Sequence, residues 1–282
     1  MTNDRFSRQS FLGEGAQEII GNSIIAICGH GGGGSHIVQQ LAHVGFQHYR
    51  IYDGDIAEDS NLNRLIGATV DDCQRETRKT TIAERTIKGL QPDADVKVYP
   101  CRWQDQPEPL RGCDLIFGSV DGFAERRELE ACARRYLLPL VDIGMDVHCV
   151  ENEPPRMAGQ VILSVPGGPC MFCLGFLNEQ VLAREGERYG DAGPRPQVVW
   201  PNGVLASTAV GIAVDLLTDW TRELRLVVYL EYDGNRNTIK PHVRLQYLPT
   251  SPCPHYPANQ VGDPAFRTKP SIPPDRLIGQ DC

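Results

Sequence analysis

A glycine run between two apolar segments is the feature of this sequence that most limits its fold. Residues 23–28 (SIIAIC) are almost entirely apolar and too short for a helix, so they predict a buried strand of a parallel sheet. Residues 29–34 (GHGGGG) follow, and we expect them to continue neither a strand nor a helix. Ser35 can then cap a helix whose apolar residues recur on one face from Ile37 to Val44. The order of strand, glycine turn and helix predicts the start of an α/β fold.

The same alternation of apolar strands and amphipathic helices continues to about residue 144. The next predicted elements are a strand at 49–52, a helix at 79–90, strands at 96–99 and 115–119, a helix at 125–136 and a strand at 138–143. Later elements are a strand at 160–165, a helix at 203–220 and a hairpin of 225–231 with 242–248. We therefore predict a Rossmann-like, doubly wound α/β sheet, mostly parallel, with an antiparallel C-terminal extension.

The predicted division of the chain follows this change in pattern. Residues 1–150 form the predicted nucleotide-binding core, residues 151–256 form the antiparallel extension, and residues 257–282 form a proline-rich tail. Residues 183–200 are polar and rich in proline and glycine, so we expect a long loop or lid there.

Composition argues against several classes of protein. The 282 residues carry 28 basic and 36 acidic side chains, for a net charge of −8, whereas coating a nucleic acid requires a basic face. No stretch approaches about 18 consecutive apolar residues, so we expect no transmembrane helix. The first ten residues hold no apolar run of signal-peptide type, which predicts a cytoplasmic protein with reduced cysteines. Two arginine pairs on one predicted helix are expected to face solvent, Arg126 with Arg127 and Arg134 with Arg135.

The glycine run also matches the nucleotide-binding pattern GxGxxG through Gly29, Gly31 and Gly34. Such glycines let the backbone approach phosphate groups, which then face the free N–H groups of a helix. Asp53 ends the second predicted strand, where a carboxylate accepts hydrogen bonds from ribose hydroxyls. These residues predict an adenine nucleotide site without choosing among nucleotides. An NAD site, or a glycine turn without a ligand, stays open at this point.

Charged residues after the second strand favour a triphosphate. Arg64 and Lys79 follow in order, and two converging cations suit the larger charge and the reacting phosphorus of a triphosphate. Asp121 follows the predicted strand 115–119 at the carboxyl end of the sheet, where ligands bind in such folds. A carboxylate beside phosphates is repulsive unless Mg²⁺ lies between them, so we expect Asp121 to be a magnesium ligand.

Together these segments resemble the ThiF/MoeB adenylyltransferases, which are related to ubiquitin-activating enzymes. The resembling segments are residues 5–9 (RFSRQ), 23–35 (SIIAICGHGGGGS), 52–64 (YDGDIAEDSNLNR), Lys79, and the SVDG segment that contains Asp121. The resemblance is close to continuous from residue 5 to about residue 145 and looser to about residue 256.

The resemblance implies acyl adenylation with ATP. In that reaction the C-terminal carboxylate of a ubiquitin-like or sulfur-carrier protein attacks the α-phosphate of ATP, acyl-AMP forms and pyrophosphate leaves. The implied nucleotide-binding residues are Gly29, Gly31, Gly32, Gly34, Asp53, Asp55, Ser60, Asn61, Asn63, Arg64, Lys79, Asp121 and Gly122. The implied catalytic residues are Arg8, Arg64, Lys79 and Asp121, with Arg8 inserted into the partner's active site in a homodimer.

Cofactors, partners and alternatives follow from the same resemblance. We expect ATP and Mg²⁺, a carrier protein that ends in glycine, a homodimer and, for conjugation, a conjugating enzyme. No nucleic-acid or membrane partner is expected. The alternatives are adenylation of a peptide or small carboxylate, a non-catalytic partner subunit of an activating enzyme, and an NAD oxidoreductase. Arg64, Lys79 and Asp121 disfavour the non-catalytic subunit, because it would not need them.

Ten cysteines raise the question of metal binding. Many relatives bind structural zinc with two CxxC pairs, and Cys170 with Cys173 makes the one such pair here. The second pair is altered, because Cys253 is followed by His255 and then by Tyr256 at the place of the second cysteine. We expect structural zinc on the three cysteines and His255, with packed thiols and no metal as the alternative.

The cysteine pattern leaves a thioester step open. Relatives often place the thioester-forming cysteine in the segment that corresponds to residues 183–200, which contains none here. The remaining candidates are Cys170, Cys173 and Cys282. Cys28 and Cys132 fall on predicted buried faces and are expected to be core residues.

Overall fold

The computed structural model describes residues 4–149, 152–188, 196–223, 225–248, 252–257 and 261–262. Within these residues the chain forms one sheet of eight strands, in the order β3-β2-β1-β4-β5-β6-β7-β8, with helices on both sides. Strands β1 to β5 pair in parallel, and β6, β7 and β8 continue the sheet in antiparallel fashion. The predicted fold class is confirmed.

The strands are β1 (Ile24–Cys28), β2 (His48–Tyr52), β3 (Asp95–Tyr99), β4 (Leu115–Gly118), β5 (Leu140–His148), β6 (Arg156–Ser164), β7 (Val228–Asp233) and β8 (Thr238–Pro241). The helices are α1 (Ala16–Asn22), α2 (Gly32–Val44), α3 (Val70–Gln74), α4 (Lys79–Leu90), α5 (Phe123–Arg135), α6 (Glu179–Arg188) and α7 (Val199–Thr218). Short 3-10 helices cover Asp4–Leu12, Asp59–Asn61, Glu108–Gly112 and Val243–Tyr247.

Two apolar cores lie on the two faces of the sheet. Helices α2 and α7 pack on one face, where Leu41 and Leu205 are fully buried. Helix α5 packs on the other face, where Leu129, Trp103 and Met171 are buried. Strand β4 is buried along its whole length, as expected for a central parallel strand. Cys28 and Cys132 are fully buried, which confirms that they are core residues.

Helix α7 is long and apolar enough to span a membrane by length and composition, with a mean hydropathy of 1.2. Its residues Leu205, Ala206, Ala209 and Ala213 are fully buried. The helix contacts α2, β5 and β6, so within the described part of the chain it is the central helix of a core.

The start of α2 differs from the prediction. The helix begins at Gly32 rather than after Ser35, so the glycine run is half loop and half helix. Ser35 is therefore no N-cap: it is buried, its Oγ donates to the Gly32 carbonyl at 2.9 Å and accepts the Ile66 N–H at 3.0 Å. A Cβ atom on Gly34 would lie 2.0 Å from the Gly29 carbonyl oxygen, so this close packing explains glycine within the first turn.

The C-terminal hairpin is also placed differently. Its second strand is β8 rather than 242–248, and Asp233 pairs directly with Thr238 across the turn. The tight turn is closed by Asn237, which has a φ of +52°. The chain then turns into the 3-10 helix Val243–Tyr247, so the predicted second strand was wrong.

The predicted loop at 183–200 is wrong at both of its ends. Helix α6 continues to Arg188, and α7 already begins at Val199. Helix α6 packs on α5, and this tertiary contact favours helix in a segment whose composition is typical of a loop. Residues 189–195, most of the proline-rich tail and Cys282 lie outside the described residues.

Candidate functional site

The carboxyl ends of β1, β2, β3 and β4 surround one pocket. It lies where the strand order reverses, because β1 pairs with β2 on one side and with β4 on the other. The lining residues are Gly29, Gly31, Tyr52, Asp53, Gly54, Asp55, Lys79, Cys101, Arg102, Trp103, Ser119, Val120, Asp121 and Glu125. Open α/β sheets bind their ligands at this kind of crevice.

The glycine loop is packed too tightly for any other residue at two positions. Gly29 has a φ of +92°, and a Cβ atom there would lie 2.4 Å from the Ser119 carbonyl oxygen. A Cβ atom on Gly34 would likewise collide with the Gly29 carbonyl oxygen. Gly31 is the N-cap of α2 and lines the pocket, and the first turn of α2 contains no acidic residue. The helix therefore presents free N–H groups where a phosphate would lie.

Asp53 is fixed by two backbone hydrogen bonds. Its carboxylate accepts the His30 N–H at 2.6 Å and the Asp55 N–H at 2.9 Å. Burial raises the pKa of Asp53, and the Lys79 ammonium opposes that shift. The His30 ring is 1% exposed, and burial, with Lys79 nearby, lowers its pKa to about 3. The imidazole is therefore neutral and adds no charge to the loop.

Lys79 enters the pocket from the first residue of α4. Its ammonium lies 2.6 Å from the Asp55 carboxylate, and its backbone N–H donates to the Asp55 carbonyl at 3.0 Å. The Lys79 side chain is only 11% exposed, whereas that of Asp55 is 72% exposed. A largely buried ammonium beside a solvent-exposed carboxylate can exchange that partner for an incoming phosphate.

The opposite wall of the pocket carries two more acidic residues. Asp121 lies exposed between β4 and α5, and Glu125 lies in the first turn of α5. Burial raises the pKa of Glu125, Arg102 lowers it and the Asp121 carboxylate raises it further. Carboxylate oxygens are the ligands that Mg²⁺ prefers, so this wall fits a divalent cation between the protein and a phosphate.

Arg64 lies beside the start of α2 rather than in the pocket lining. A Cβ atom on Gly32 would lie 3.4 Å from the Cδ atom of Arg64. The guanidinium donates to the Ser60 carbonyl at 2.6 Å and to the Asn63 side chain at 2.9 Å. Its charge is therefore next to the helix N-terminus that would face a phosphate.

Two neighbouring asparagines have local structural partners. Asn61 is buried, and its side-chain oxygen accepts the Glu58 N–H at 3.2 Å in a capping box. Asn63 donates to the Gln197 carbonyl at 2.8 Å, which joins this segment to the chain just before α7. Both residues thus shape the segment that holds Arg64.

Arg8 lies far from the pocket of its own chain. It is exposed on the 3-10 helix Asp4–Leu12. The neighbouring Gln9 donates to the Val44 carbonyl at 2.8 Å, at the C-terminal end of α2. The glycine loop lies at the other end of this helix, about 18 Å away at 1.5 Å per residue.

The structure thus brings together part of the predicted set. The predicted residues that line the pocket are Gly29, Gly31, Asp53, Asp55, Lys79 and Asp121. Gly32 and Gly34 lie in the adjoining helix turn, and Gly122 is the N-cap of α5. The lining residues that the sequence analysis missed are Gly54, Tyr52, Cys101, Arg102, Trp103, Ser119, Val120 and Glu125. Tyr52 and Cys101 follow the rule that ligands bind at carboxyl strand ends, which would have indicated them.

A second group of chemically active side chains lies apart from the pocket. The ligand atoms of Cys170, Cys173, Cys253 and His255 all lie within 4.8 Å of one another. The Cys173 sulfur is 3.7 Å from that of Cys170 and 3.6 Å from that of Cys253. The Nδ1 atom of His255 is 3.4, 3.5 and 3.9 Å from the three sulfurs.

These distances fit one tetrahedral metal ion. Zn–S bonds of about 2.3 Å in a tetrahedron place two sulfurs about 3.8 Å apart, close to the separations seen here. The tight Cys-x-His spacing is compatible with this geometry because His255 presents its nearer nitrogen, Nδ1. We refer to Cys170, Cys173, Cys253 and His255 as the Cys₃His cluster.

We expected the arginines of α5 to face solvent, but two of them are buried. Arg126 is 6% exposed and Arg134 is 1% exposed. Arg126 donates to the Asp142 carboxylate, to the Val120 carbonyl and, at 2.9 Å, to the Ile143 carbonyl. Burial raises the pKa of Asp142 to about 6, although Arg126 lowers it. For Arg126 the expectation failed because its partner Asp142 lies on a different element, whereas the partner of Arg134, Glu130, stands four residues earlier on the same helix, a spacing that indicates a pair but not its burial.

Comparisons with known proteins agree with this geometry. The sequence model of the ThiF family matches residues 5–254. The SAMP-activating enzyme E1 of Haloferax volcanii is 31% identical over 176 residues, which cover 61% of this chain and 61% of that protein. The sulfur carrier protein adenylyltransferase of Thermus thermophilus is 28% identical over 179 residues, which cover 61% of this chain and 63% of that protein.

A solved structure shows the same fold. The crystal structure of E. coli MccB with ATP is 20% identical, with a TM-score of 0.68, over 86% of this chain and 71% of that chain. At this identity the likeness concerns the fold alone. The aligned regions span about three fifths of the length of the two curated relatives.

Proposed function

The chain belongs to the ThiF family, and we propose that it adenylates, with ATP, the C-terminal carboxylate of a ubiquitin-like or sulfur-carrier protein. The observation that carries this proposal is the pocket itself. A glycine loop, a half-buried carboxylate, a largely buried lysine and an exposed carboxylate meet there, at Gly29, Asp53, Lys79 and Asp121. The names of two relatives, an activating enzyme and a sulfur carrier protein adenylyltransferase, support the substrate class.

The pocket has groups that suit the phosphates and the ribose of ATP. The N-terminus of α2 and the backbone of Gly29 and Gly31 would receive the phosphates. Asp53, already held by two N–H donors, would accept the ribose hydroxyls. Lys79 and Arg64 would neutralise the phosphate charge from two sides.

The reaction is a displacement at the α-phosphorus. A carboxylate oxygen of the carrier forms the new P–O bond, the bond to the β-phosphate oxygen breaks, and pyrophosphate leaves with its electron pair. Negative charge grows on the phosphoryl oxygens, and preorganised cations such as Lys79 stabilise it. Mg²⁺, which Asp121 would hold with Glu125 nearby, would supply further charge neutralisation on the phosphates.

Arg8 would act in a homodimer. It is exposed and does not line the pocket of its own chain, and its neighbour Gln9 is held at the end of α2 that lies about 18 Å along the helix from the glycine loop, so we expect Arg8 to act on a second copy. A partner's arginine would supply the additional cation that the displacement needs. The dimer, the conjugating enzyme and the cytoplasmic location stay predictions.

Exchange of labelled pyrophosphate into ATP, in the presence of a carrier that ends in glycine, tests the proposal. We expect Lys79→Ala and Asp121→Asn each to slow exchange by about 10²–10³-fold, since losing one such group costs about 2–4 kcal/mol of barrier. Matched controls are Lys97→Ala and Asp93→Asn, both exposed and away from the pocket lining. Unchanged exchange in either test variant would contradict the role of that residue. Tight NAD binding without ATP binding would favour an oxidoreductase instead.

We also propose that the Cys₃His cluster binds structural zinc. Zinc would connect two segments that are 80 residues apart in sequence and stabilise their fold. Purified protein should contain one zinc per chain, and Co²⁺ substitution should give thiolate-to-cobalt absorption. Cys253→Ser should abolish that absorption, whereas Cys149→Ser, an exposed cysteine outside the cluster, should keep it. A metal-free protein with all four residues intact would contradict the site.

A thioester step has no assigned cysteine. Cys170 and Cys173 belong to the Cys₃His cluster, so neither is placed as a free nucleophile at the pocket. Cys282 lies outside the described residues. The proposed reaction therefore ends with acyl-AMP.

A further inference from the structure

Helix α5 lies between the nucleotide pocket and the Cys₃His cluster and is anchored to both. At its front end Arg126 donates to the Val120 carbonyl, one residue before Asp121. At its rear end Glu130 and Arg134 are fully or almost fully buried, at 0% and 1% exposure. One helix of 13 residues therefore carries buried contacts to both sites.

Glu130 holds the first ligand-bearing segment. Its two carboxylate oxygens accept the Met171 N–H at 3.0 and 3.2 Å. Met171 lies directly after the ligand Cys170. The Ser164 hydroxyl donates to the same carboxylate at 2.5 Å and fixes its orientation. Moving α5 would therefore move the backbone that carries Cys170.

Arg134 holds both ligand-bearing segments. Its guanidinium donates to the carbonyls of Gly168 at 3.1 Å and Pro169 at 2.9 Å, just before Cys170. The same guanidinium lies 5.0 Å from the ring centroid of Tyr256, which directly follows His255. The Tyr256 hydroxyl donates to the Arg127 carbonyl on α5 at 3.5 Å. The cluster is thus assembled on the surface of this one helix.

The chemistry of Glu130 and Arg134 favours a role in positioning the metal ligands over a role in stabilising the core. Burying a carboxylate and a guanidinium costs desolvation energy that their attraction seldom exceeds, so an apolar pair would stabilise the core as well or better. The two charges do make several hydrogen bonds to the backbone around the metal ligands, which an apolar pair could not make. Such outer contacts orient the ligands of metal sites.

We propose that α5 couples the Cys₃His cluster to the nucleotide pocket, with Glu130 and Arg134 as positioning residues. Metal loss frees the rear end of α5, and the displacement reaches Asp121 and the Val120 carbonyl at its front end. MgATP binding in turn strengthens metal binding by the same factor, because coupling between two sites is reciprocal. This inference rests on the proposed function, since it assumes that the pocket binds MgATP.

Calorimetric titration of the full-length protein with MgATP tests the coupling. We expect the Kd for MgATP to be about 5–150-fold weaker after zinc is removed by a chelator than in the zinc-loaded protein, the usual range for coupled sites. The reciprocal measurement starts from the zinc-loaded protein: MgATP should raise zinc affinity, measured by chelator competition, by the same factor. Equal zinc affinity with and without MgATP would overturn the coupling.

Substitutions of Glu130 and Arg134 separate a role in positioning the metal ligands from a role in folding. In Glu130→Gln and Arg134→Met the ratio of zinc affinities with and without MgATP should fall towards one, with circular dichroism unchanged. Arg127→Ala, an exposed side chain on the same helix, should keep the wild-type ratio. A wild-type ratio in both test variants would overturn their assignment. Absence of MgATP binding to the zinc-loaded wild type would contradict the proposed function, and with it this inference.

Discussion

The nucleotide pocket and the Cys₃His cluster are built in opposite ways. The phosphate-facing end of the pocket is made of backbone, from the glycine loop and the N-terminus of α2, and close packing at Gly29 and Gly34 leaves no room for a Cβ atom. The cluster is made of side chains from two segments 80 residues apart, which α5 gathers. The glycine loop therefore requires residues without a Cβ atom, whereas the cluster requires four particular side chains.

This difference determines how each region should respond to change. A substitution in the glycine loop distorts the centre of the parallel sheet, because β1, α2 and β4 meet there. Loss of a cluster ligand acts on the segments around Cys170 and His255, which Glu130 and Arg134 of α5 contact.

Gly34→Ala should cost the most. The new Cβ atom would lie 2.0 Å from the Gly29 carbonyl oxygen, a backbone atom that cannot rotate away. We expect a loss of about 3 kcal/mol or more in the free energy of unfolding, measured by denaturant titration. Gly211→Ala is the matched control, because it is also helical but has nothing within 4 Å of the new atom. The control should be neutral or stabilise by up to about 1 kcal/mol, and equal losses in both variants would contradict the packing account.

Removing zinc should have a smaller and more local effect. If free zinc stands 100-fold above its Kd, the bound ion contributes about 2.7 kcal/mol to folding. Hydrogen exchange after chelation should therefore increase at residues 170–174, 252–257 and the rear of α5, while β1 and β2 stay protected. Equal loss of protection in β1 would show that the two regions unfold together and would contradict the contrast.

Glu185→Ala should have the smallest effect of the three. The Glu185 carboxylate on α6 accepts the N–H groups of Phe123 at 2.9 Å and Ala124 at 2.8 Å, and so caps the front of α5. Gly122, the N-cap, has no side chain to do this. We expect a loss of about 1 kcal/mol and almost none for Gln180→Ala, an exposed residue of the same helix. No measurable loss in Glu185→Ala would indicate that α6 does not cap α5 in solution.

Six residues that line the pocket could be named from the sequence, because their positions depend on local signals. The span 79–90 is helical as predicted, so Lys79 falls at the first residue of α4. Asp53 and Asp121 follow β2 and β4 closely, and the carboxyl ends of parallel strands meet. The start of α2 was missed because glycine disfavours helices in isolation, and only the packing against Gly29 explains it.

Contacts between distant segments explain what could not be predicted. Arg126 and Arg134 were predicted to face solvent, but Asp142 binds Arg126 in the interior, and the carbonyls of Gly168 and Pro169 accept hydrogen bonds from Arg134. Glu125 lines the pocket because the first turn of α5 lies beside it, which depends on how the helix packs on the sheet. The Cys₃His cluster was predicted with an irregular fourth ligand, and its distances fit that ligand because Arg134 and Tyr256 hold the second segment in place.

An isotope-transfer experiment shows whether the carrier carboxylate attacks the α-phosphorus of ATP. A glycine-terminated carrier protein labelled with ¹⁸O in its C-terminal carboxylate would be incubated with the enzyme, ATP and Mg²⁺, and the products would be released with hydroxylamine. If the carrier carboxylate attacks the α-phosphorus, the AMP that is recovered carries one ¹⁸O atom and the pyrophosphate carries none. Unlabelled AMP, or label in inorganic phosphate, would contradict adenylation of the carrier.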